Sequence, residues 1–206
     1  MFRTPKARRA ALIGAGLAAA VLGSAGSARA SHSGKADPAA TSVSLDGRIL
    51  ETCKGQHIDE KAPVISTGDV LIRASVKTVF DLQTDIDNWA TWRPDVVSAT
   101  RLQPGPFIAG SSFRWETGGL TVVSTVRAVH HDHCTLRGGP ASGIQGEHLW
   151  KYTEVPGGVL VHTEESWSGP PVDADVAGAQ AALDSSLQAW RADLKRQAEA
   201  MTHQHD

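Results

Sequence analysis

Cysteine is scarce: Cys53 and Cys134 are the two in 206 residues. A small scaffold stapled by several disulfides is therefore excluded, and the residues leave open whether the two pair or stand as separate thiols. Tyrosine occurs once and methionine twice, against six tryptophans. No G-x-S-x-G is present, and Ser124 and Ser166 have no His-Asp array at readable spacing, which disfavours nucleophilic hydrolysis. No glycine-rich loop has the strand-to-helix setting of a phosphate cradle. The run His130-His131-Asp132-His133-Cys134 matches no zinc spacing and straddles the end of one strand and the start of the next, so neither metal nor cofactor is expected. The tail His203-Gln204-His205-Asp206 reads as an exposed end. What is present is globular: 41% hydrophobic and 20% charged residues, with 20 glycines and 10 prolines favouring strands and turns over a helical bundle.

Residues 1–30 read as an export leader. Arg3, Lys6, Arg8 and Arg9 precede an uncharged stretch from Ala10 to Ala28, and Ala28-Arg29-Ala30 has the small-residue form of a cleavage site. The stretch is built largely from alanine, glycine and serine, too weakly apolar for a membrane anchor of about 20 residues. Cleavage after Ala30 is expected, with a secreted or otherwise extracytoplasmic product and no stable membrane anchor. Arg8-Arg9 followed by Ala10-Ala11-Leu12 resembles a twin-arginine signal, although Ala7 stands where Ser or Thr is usual; the Sec route stays open. Without Arg3, Lys6, Arg8, Arg9 and Arg29 the remainder has 15 basic against 22 acidic residues, a balance of about −7. That balance, with no basic run, disfavours nucleic acid and anionic membrane as partners.

Residues 31–57 read as a flexible linker, with a short strand at Ile49-Leu50, residues 58–201 as the domain and residues 202–206 as the tail. Val70-Leu71-Ile72 reads as a strand. Ser75 is placed to cap a helix from Val76 to about Thr84, and Asp87 a shorter one carrying Trp89 and Trp92 that ends before Pro94. The period then alternates: strands are expected at Val96–Leu102, Ser112–Thr117, Leu120–Val129, His133–Arg137, Glu147–Val155 and Val159–Ser166. A long helix from Asp173 to Met201 follows, with Val176, Leu183, Leu187, Trp190 and Leu194 on one stripe. Helices segregated to one side of an antiparallel sheet make an α+β domain, with a hollow expected at the end where the short helices sit.

Two-residue loops at Gly118-Gly119 and Pro156-Gly157 set the hairpin registers. The first pairs Thr117 with Leu120, Trp115 with Val122 and Phe113 with Ser124. The second pairs Tyr152 with Val161, Trp150 with Thr163 and His148 with Glu165. Strand alternation puts these residues on one inward face. An inward Glu165 is costly unless paired, and His148 directly across supplies a partner that could orient a ligand or move a proton on it.

The element order and Asp85-Ile86-Asp87-Asn88-Trp89-Ala90-Thr91-Trp92-Arg93-Pro94-Asp95 resemble the polyketide cyclase/dehydrase branch of the START-type (SRPBCC) superfamily. So do Gly110-Ser111-Ser112-Phe113-Arg114-Trp115, His148-Leu149-Trp150 and Thr163-Glu164-Glu165-Ser166-Trp167. The resemblance implies a helix-grip fold: a curved seven-stranded antiparallel sheet around a long C-terminal helix, enclosing a cavity for an apolar small molecule. With the hairpin registers it nominates Trp92, Phe113, Trp115, Val122 and Ser124 as ligand-binding residues. It adds His148, Trp150, Tyr152, Val161, Thr163 and Glu165 from the last hairpin, and Leu187 and Trp190 from the long helix. Two functions are expected to compete: an exported binder of a lipid or polyketide-like molecule, and a cyclase or dehydrase using His148 and Glu165. A third reading is a small interaction protein with a filled cavity.

Overall fold

Alternating apolar and polar residues, broken by glycine-containing turns, build a single antiparallel sheet. The computed structural model describes residues 55–202. The expected leader, its cleavage site, Cys53, most of the linker and residues 203–206 lie outside the described residues. Seven strands run β1 (Val64–Ile72), β2 (Val96–Arg101), β3 (Ser112–Thr117), β4 (Leu120–His130), β5 (Cys134–Ala141), β6 (Ile144–Val155) and β7 (Gly158–Ser168). Their spatial order is β1-β7-β6-β5-β4-β3-β2. The last six strands follow as successive hairpins, whereas the chain crosses from β1 to the opposite edge through helix α1 (Val76–Thr84), a 3₁₀ turn (Ile86–Asn88) and helix α2 (Trp89–Trp92). After β7 come α3 (Pro170–Ala174) and the long α4 (Val176–Thr202). The fold is the expected α+β helix grip, a curved sheet that does not close on itself.

Both glycine-turn hairpins have the expected registers: Thr117 faces Leu120 and Phe113 faces Ser124, and His148 faces Glu165 while Trp150 faces Thr163. Gly118 and Gly119 have φ of 55° and 80°, the left-handed pair a tight hairpin turn requires. Ser75 caps α1 by accepting from the Thr78 amide.

Other expectations are corrected. Asp87 caps no helix: it lies within the 3₁₀ turn, and its carboxylate accepts from the Arg101 amide at 2.9 Å, tying the turn to β2. The strand expected to end at Arg137 runs through Gly138-Gly139-Pro140 to Ala141, turning at Ser142-Gly143. The helix expected from Asp173 is two helices. Asp175 breaks it with non-helical backbone (φ −151°) and accepts from the Gly178 amide at 2.9 Å, capping α4. Val176 is consequently 42% exposed instead of in the stripe, while Leu183, Leu187, Trp190 and Leu194 are buried.

The β1 edge is covered by α4. Gln180 donates to the Ile65 carbonyl at 2.9 Å and Lys195 to the Leu71 carbonyl at 2.7 Å, satisfying edge acceptors that would otherwise invite another strand. Gly68 lies beneath Arg191: a Cβ there would sit 2.2 Å from Nη1. On the outer face a register shift between Val126 and Ala128 turns Ala128 outward into a second apolar cluster with Ile58, Cys134, Leu136 and Leu149. Cys134 is wholly buried and disulfide-bonded; Cys53, the other cysteine of the chain, lies outside the described residues.

Candidate functional site

A cavity of about 210 Å³ lies between the inner sheet face and α4. Trp115, Leu120, Val122 and Ser124 of the β3–β4 hairpin form one wall, and Trp190 and Ser186 of α4 another. Arg137, His148, Glu165 and Trp167 come from β5, β6 and β7. The floor is bare backbone at Gly138, Gly139 and Gly146. Glycine is required there by close strand approach: a Cβ would stand 2.0 Å from the Val123 carbonyl oxygen at Gly139 and 2.5 Å from the Gly146 carbonyl oxygen at Gly138.

The sequence candidates divide. Trp115, Val122, Ser124, His148, Glu165 and Trp190 border the cavity. Trp92, Phe113, Trp150, Tyr152, Val161, Thr163 and Leu187 do not; they are buried in the core. The hollow also opens at the end of the β3–β4 and β5–β6 turns, not at the short helices. Those helices fill the other end. Phe80 of α1 packs edge-on against Tyr152 with centroids 5.6 Å apart, and Trp89 of α2 packs edge-on against Phe113, Trp115 and Trp190 at 5.2–5.7 Å.

Trp190 is the hub of the core beside the cavity. Its ring meets Trp115 and Trp150 at 5.7 and 5.8 Å and His148 at 5.2 Å, while its Nε1 donates to Gln83 Oε1 at 3.0 Å. The Arg93 guanidinium lies 3.8 Å from its centroid. Arg93 is neutralised by Asp95, with Nε donating to Oδ1 at 2.9 Å, and lies 3.9 Å from Asp193. Arg137 also faces this ring, at 4.8 Å, and lies 5.0 Å from Trp89 and 5.5 Å from Trp115. Contacts of this kind contribute about 2 kcal/mol each when desolvated. Burial lowers the Arg137 pKa to about 10, so it remains a cation at neutral pH.

The protons around His148 follow from its partners. The Thr163 hydroxyl donates its one proton to the Leu149 carbonyl at 3.1 Å, so it accepts from His148 Nε2 at 2.8 Å. In the neutral ring Nδ1 is then a bare acceptor. It faces Arg137 Nη2 at 3.3 Å and Glu165 Oε2 at 3.1 Å. One lone pair cannot accept from both. Burial, reinforced by the charges of Arg137 and Arg93, holds the His148 pKa well below 6.5, while burial raises that of Glu165. A proton shared by this pair therefore resides on Glu165. Its other oxygen accepts from Trp167 Nε1 at 2.9 Å.

The sequence reading nominated neither Leu120, Trp167 and Ser186 nor the cation Arg137. The signal for Arg137 is parity: β5 pairs Arg137 with His148, so it shares the inward face once the strand is carried through Gly138-Gly139. The histidine run does not converge: His131 packs on Phe80 at 4.7 Å, Cys134 is in its disulfide, and among the described residues no three His, Cys, Asp or Glu side chains are placed to hold a metal.

A family model described as polyketide cyclase/dehydrase and lipid transport matches residues 63–199. Among solved structures, the hypothetical protein jhp0584 from Helicobacter pylori is similar at TM-score 0.59 and 19% identity, over 68% of this chain and 90% of that one. A START superfamily protein from Mycobacterium smegmatis is similar at 0.56 and 13%, over 66% and 98%. The di-domain ARO/CYC StfQ from the steffimycin biosynthetic pathway is similar at 0.57 and 16%, over 69% of this chain and 51% of that one. At these identities the likeness is one of fold. No curated protein matches the chain.

Proposed function

Because the chain belongs to the polyketide cyclase/dehydrase and lipid-transport family, we propose that it is an exported binding protein whose cavity holds an apolar, lipid-like or polyketide-like small molecule. The observation that carries this reading is the cavity itself. About 210 Å³ is kept open beside a densely packed core, with tryptophans on its walls and a small polar group at one side. A dry cavity of about 150 Å³ accepts benzene, so the space suits a body of one or two rings. Export is supported by the leader-like pattern of residues 1–30 and by the disulfide at Cys134, since disulfides persist in oxidising compartments. Native mass spectrometry of the protein collected from the medium of its own cells tests the binding reading. A co-purifying apolar molecule is expected; a ligand-free mass that also takes up no added apolar ring compounds would defeat it.

A second reading, a cyclase or dehydrase, is favoured by the 3.1 Å approach of His148 Nδ1 and Glu165 Oε2 at the cavity wall. In that reading a protonated Glu165 gives its proton to a hydroxyl of the ligand, which leaves as water as its C–O bond breaks; the resulting Glu165 carboxylate takes the proton from the adjacent carbon, and the neutral ring of His148 keeps the carboxyl oriented. Chemical change of a bound ligand that is lost in Glu165→Gln, with binding retained, would select it over simple binding.

A further inference from the structure

Arg137 is a 5% exposed cation on the cavity wall. Arg93, the other cation in contact with Trp190, has two carboxylates beside it. Arg137 has none: among the described residues no Asp or Glu oxygen lies within 4.0 Å of its guanidinium, and its one hydrogen bond goes to the neutral His148 ring. Glu165, the nearest acid, is turned to Trp167 and His148. Aromatic faces attract a guanidinium but supply no hydrogen-bond acceptor. A buried charge is ordinarily kept only where a counter-ion or full hydrogen bonding offsets its desolvation. Here that place is open cavity.

We propose that the cavity selects ligands carrying one carboxylate, seated on the Arg137 guanidinium, with the apolar body between Trp115, Trp167 and Trp190 and over the glycine floor. The inference rests on the binding reading above and adds the ligand's charge to it. A carboxylate would make charge-assisted N–H···O bonds to Arg137 in a water-poor site, where they exceed neutral ones. It would also relieve the competition at His148 Nδ1: once Arg137 turns to the ligand, the nitrogen is left to accept from a protonated Glu165. A neutral molecule of the same shape gains neither.

Calorimetric titration with 2-naphthoic acid and with its neutral isostere 2-naphthamide, near pH 7, tests this. The acid is expected to bind the unaltered protein at least about tenfold more tightly than the amide, a difference of about 1.4 kcal/mol. In Arg137→Met the preference should vanish with amide affinity kept. In Glu165→Gln, which replaces one neutral group with another, the preference should be kept. Should Arg137→Met fail to fold, judged by near-ultraviolet circular dichroism, the acid-to-amide ratio in the unaltered protein and in Glu165→Gln still decides. Equal binding of acid and amide overturns the inference and leaves the binding reading standing. Binding of neither overturns both.

Discussion

Trp190 and His162 show what single side chains do on the two faces of the sheet. Trp190 is 2% exposed and contacts four aromatic rings and both buried arginines. Trp190→Ala is expected to cost about 3–5 kcal/mol in urea unfolding. Trp150, also fully packed, should cost a similar amount on truncation. Trp167→Ala should cost less, because its ring borders empty space and has fewer atoms to lose. On the outer face His162 bridges Asp69 at 2.7 Å and Glu164 at 3.0 Å, and Lys151 donates to the same Glu164 oxygen at 2.7 Å. The hydrogen bond to Glu164 leads the effects that raise the His162 pKa above 6.5. The hydrogen bond from His162 leads those that lower Glu164 from 4.5 to about 2. The stabilisation from His162 is complete below pH 6.5 and is lost as pH rises through its raised value. That from Glu164 is present above pH 4.5 and is lost as pH falls towards 2. Stability measured against pH for the unaltered protein minus His162→Gln should therefore be largest in the window between the two losses. A flat difference across pH 3–9 would mean the bridge has no energetic weight.

At the scale of elements, Gly139 decides whether β5 can pass under β4. Gly139→Ala would place a methyl 2.0 Å from the Val123 carbonyl oxygen, a backbone atom that cannot swing aside. A loss of about 1–3 kcal/mol or more is expected from overpacking, together with distortion of the cavity floor, both visible in thermal unfolding and ligand titration. The same glycines explain what sequence reading recovered and what it missed. The β3–β4 and β6–β7 registers were legible because their two-residue turns leave one pairing that buries Phe113, Trp115, Trp150 and Tyr152 together. Gly138-Gly139-Pro140 carries the same turn signal but serves strand contact, so β5 was expected to stop at Arg137 and the cation was not placed. The helix break at Asp175 was missed for a related reason: Asp173 and Asp175 are both plausible caps, and the choice depends on how α3 packs Val172 into the core. Which end of the hollow remains open is not a matter of parity at all. It depends on where Phe80 and Trp89 come to rest, which is a tertiary outcome.

For the whole molecule, the expected product of export begins at Ser31; N-terminal sequencing of extracellular protein checks this, and a soluble cytoplasmic form retaining Met1 would contradict it. Removing the disulfide with Cys134→Ser should lower stability by about 2–4 kcal/mol, read as the shift in the urea midpoint between oxidised and variant protein. The cavity should change less than the outer face, since Cys134 lies in the cluster of Ile58, Leu136 and Leu149 on the other side of the sheet. The unclosed edge has a kinetic meaning of its own. Between β1 and β2 there is no backbone ladder; α4 fills the gap with side chains, Gln180 and Lys195 towards β1 and Arg196 donating to the Trp92 carbonyl at 3.1 Å on the far side. A small outward swing of that helix, whose Ser186 and Trp190 wall the cavity, would widen the mouth at the β3–β4 and β5–β6 turns, exposing apolar surface but unzipping no strand. Release should then carry a positive activation heat capacity and give a curved Eyring plot, with a rate that responds to substitutions along α4 and is nearly indifferent to those that only strengthen strand pairing.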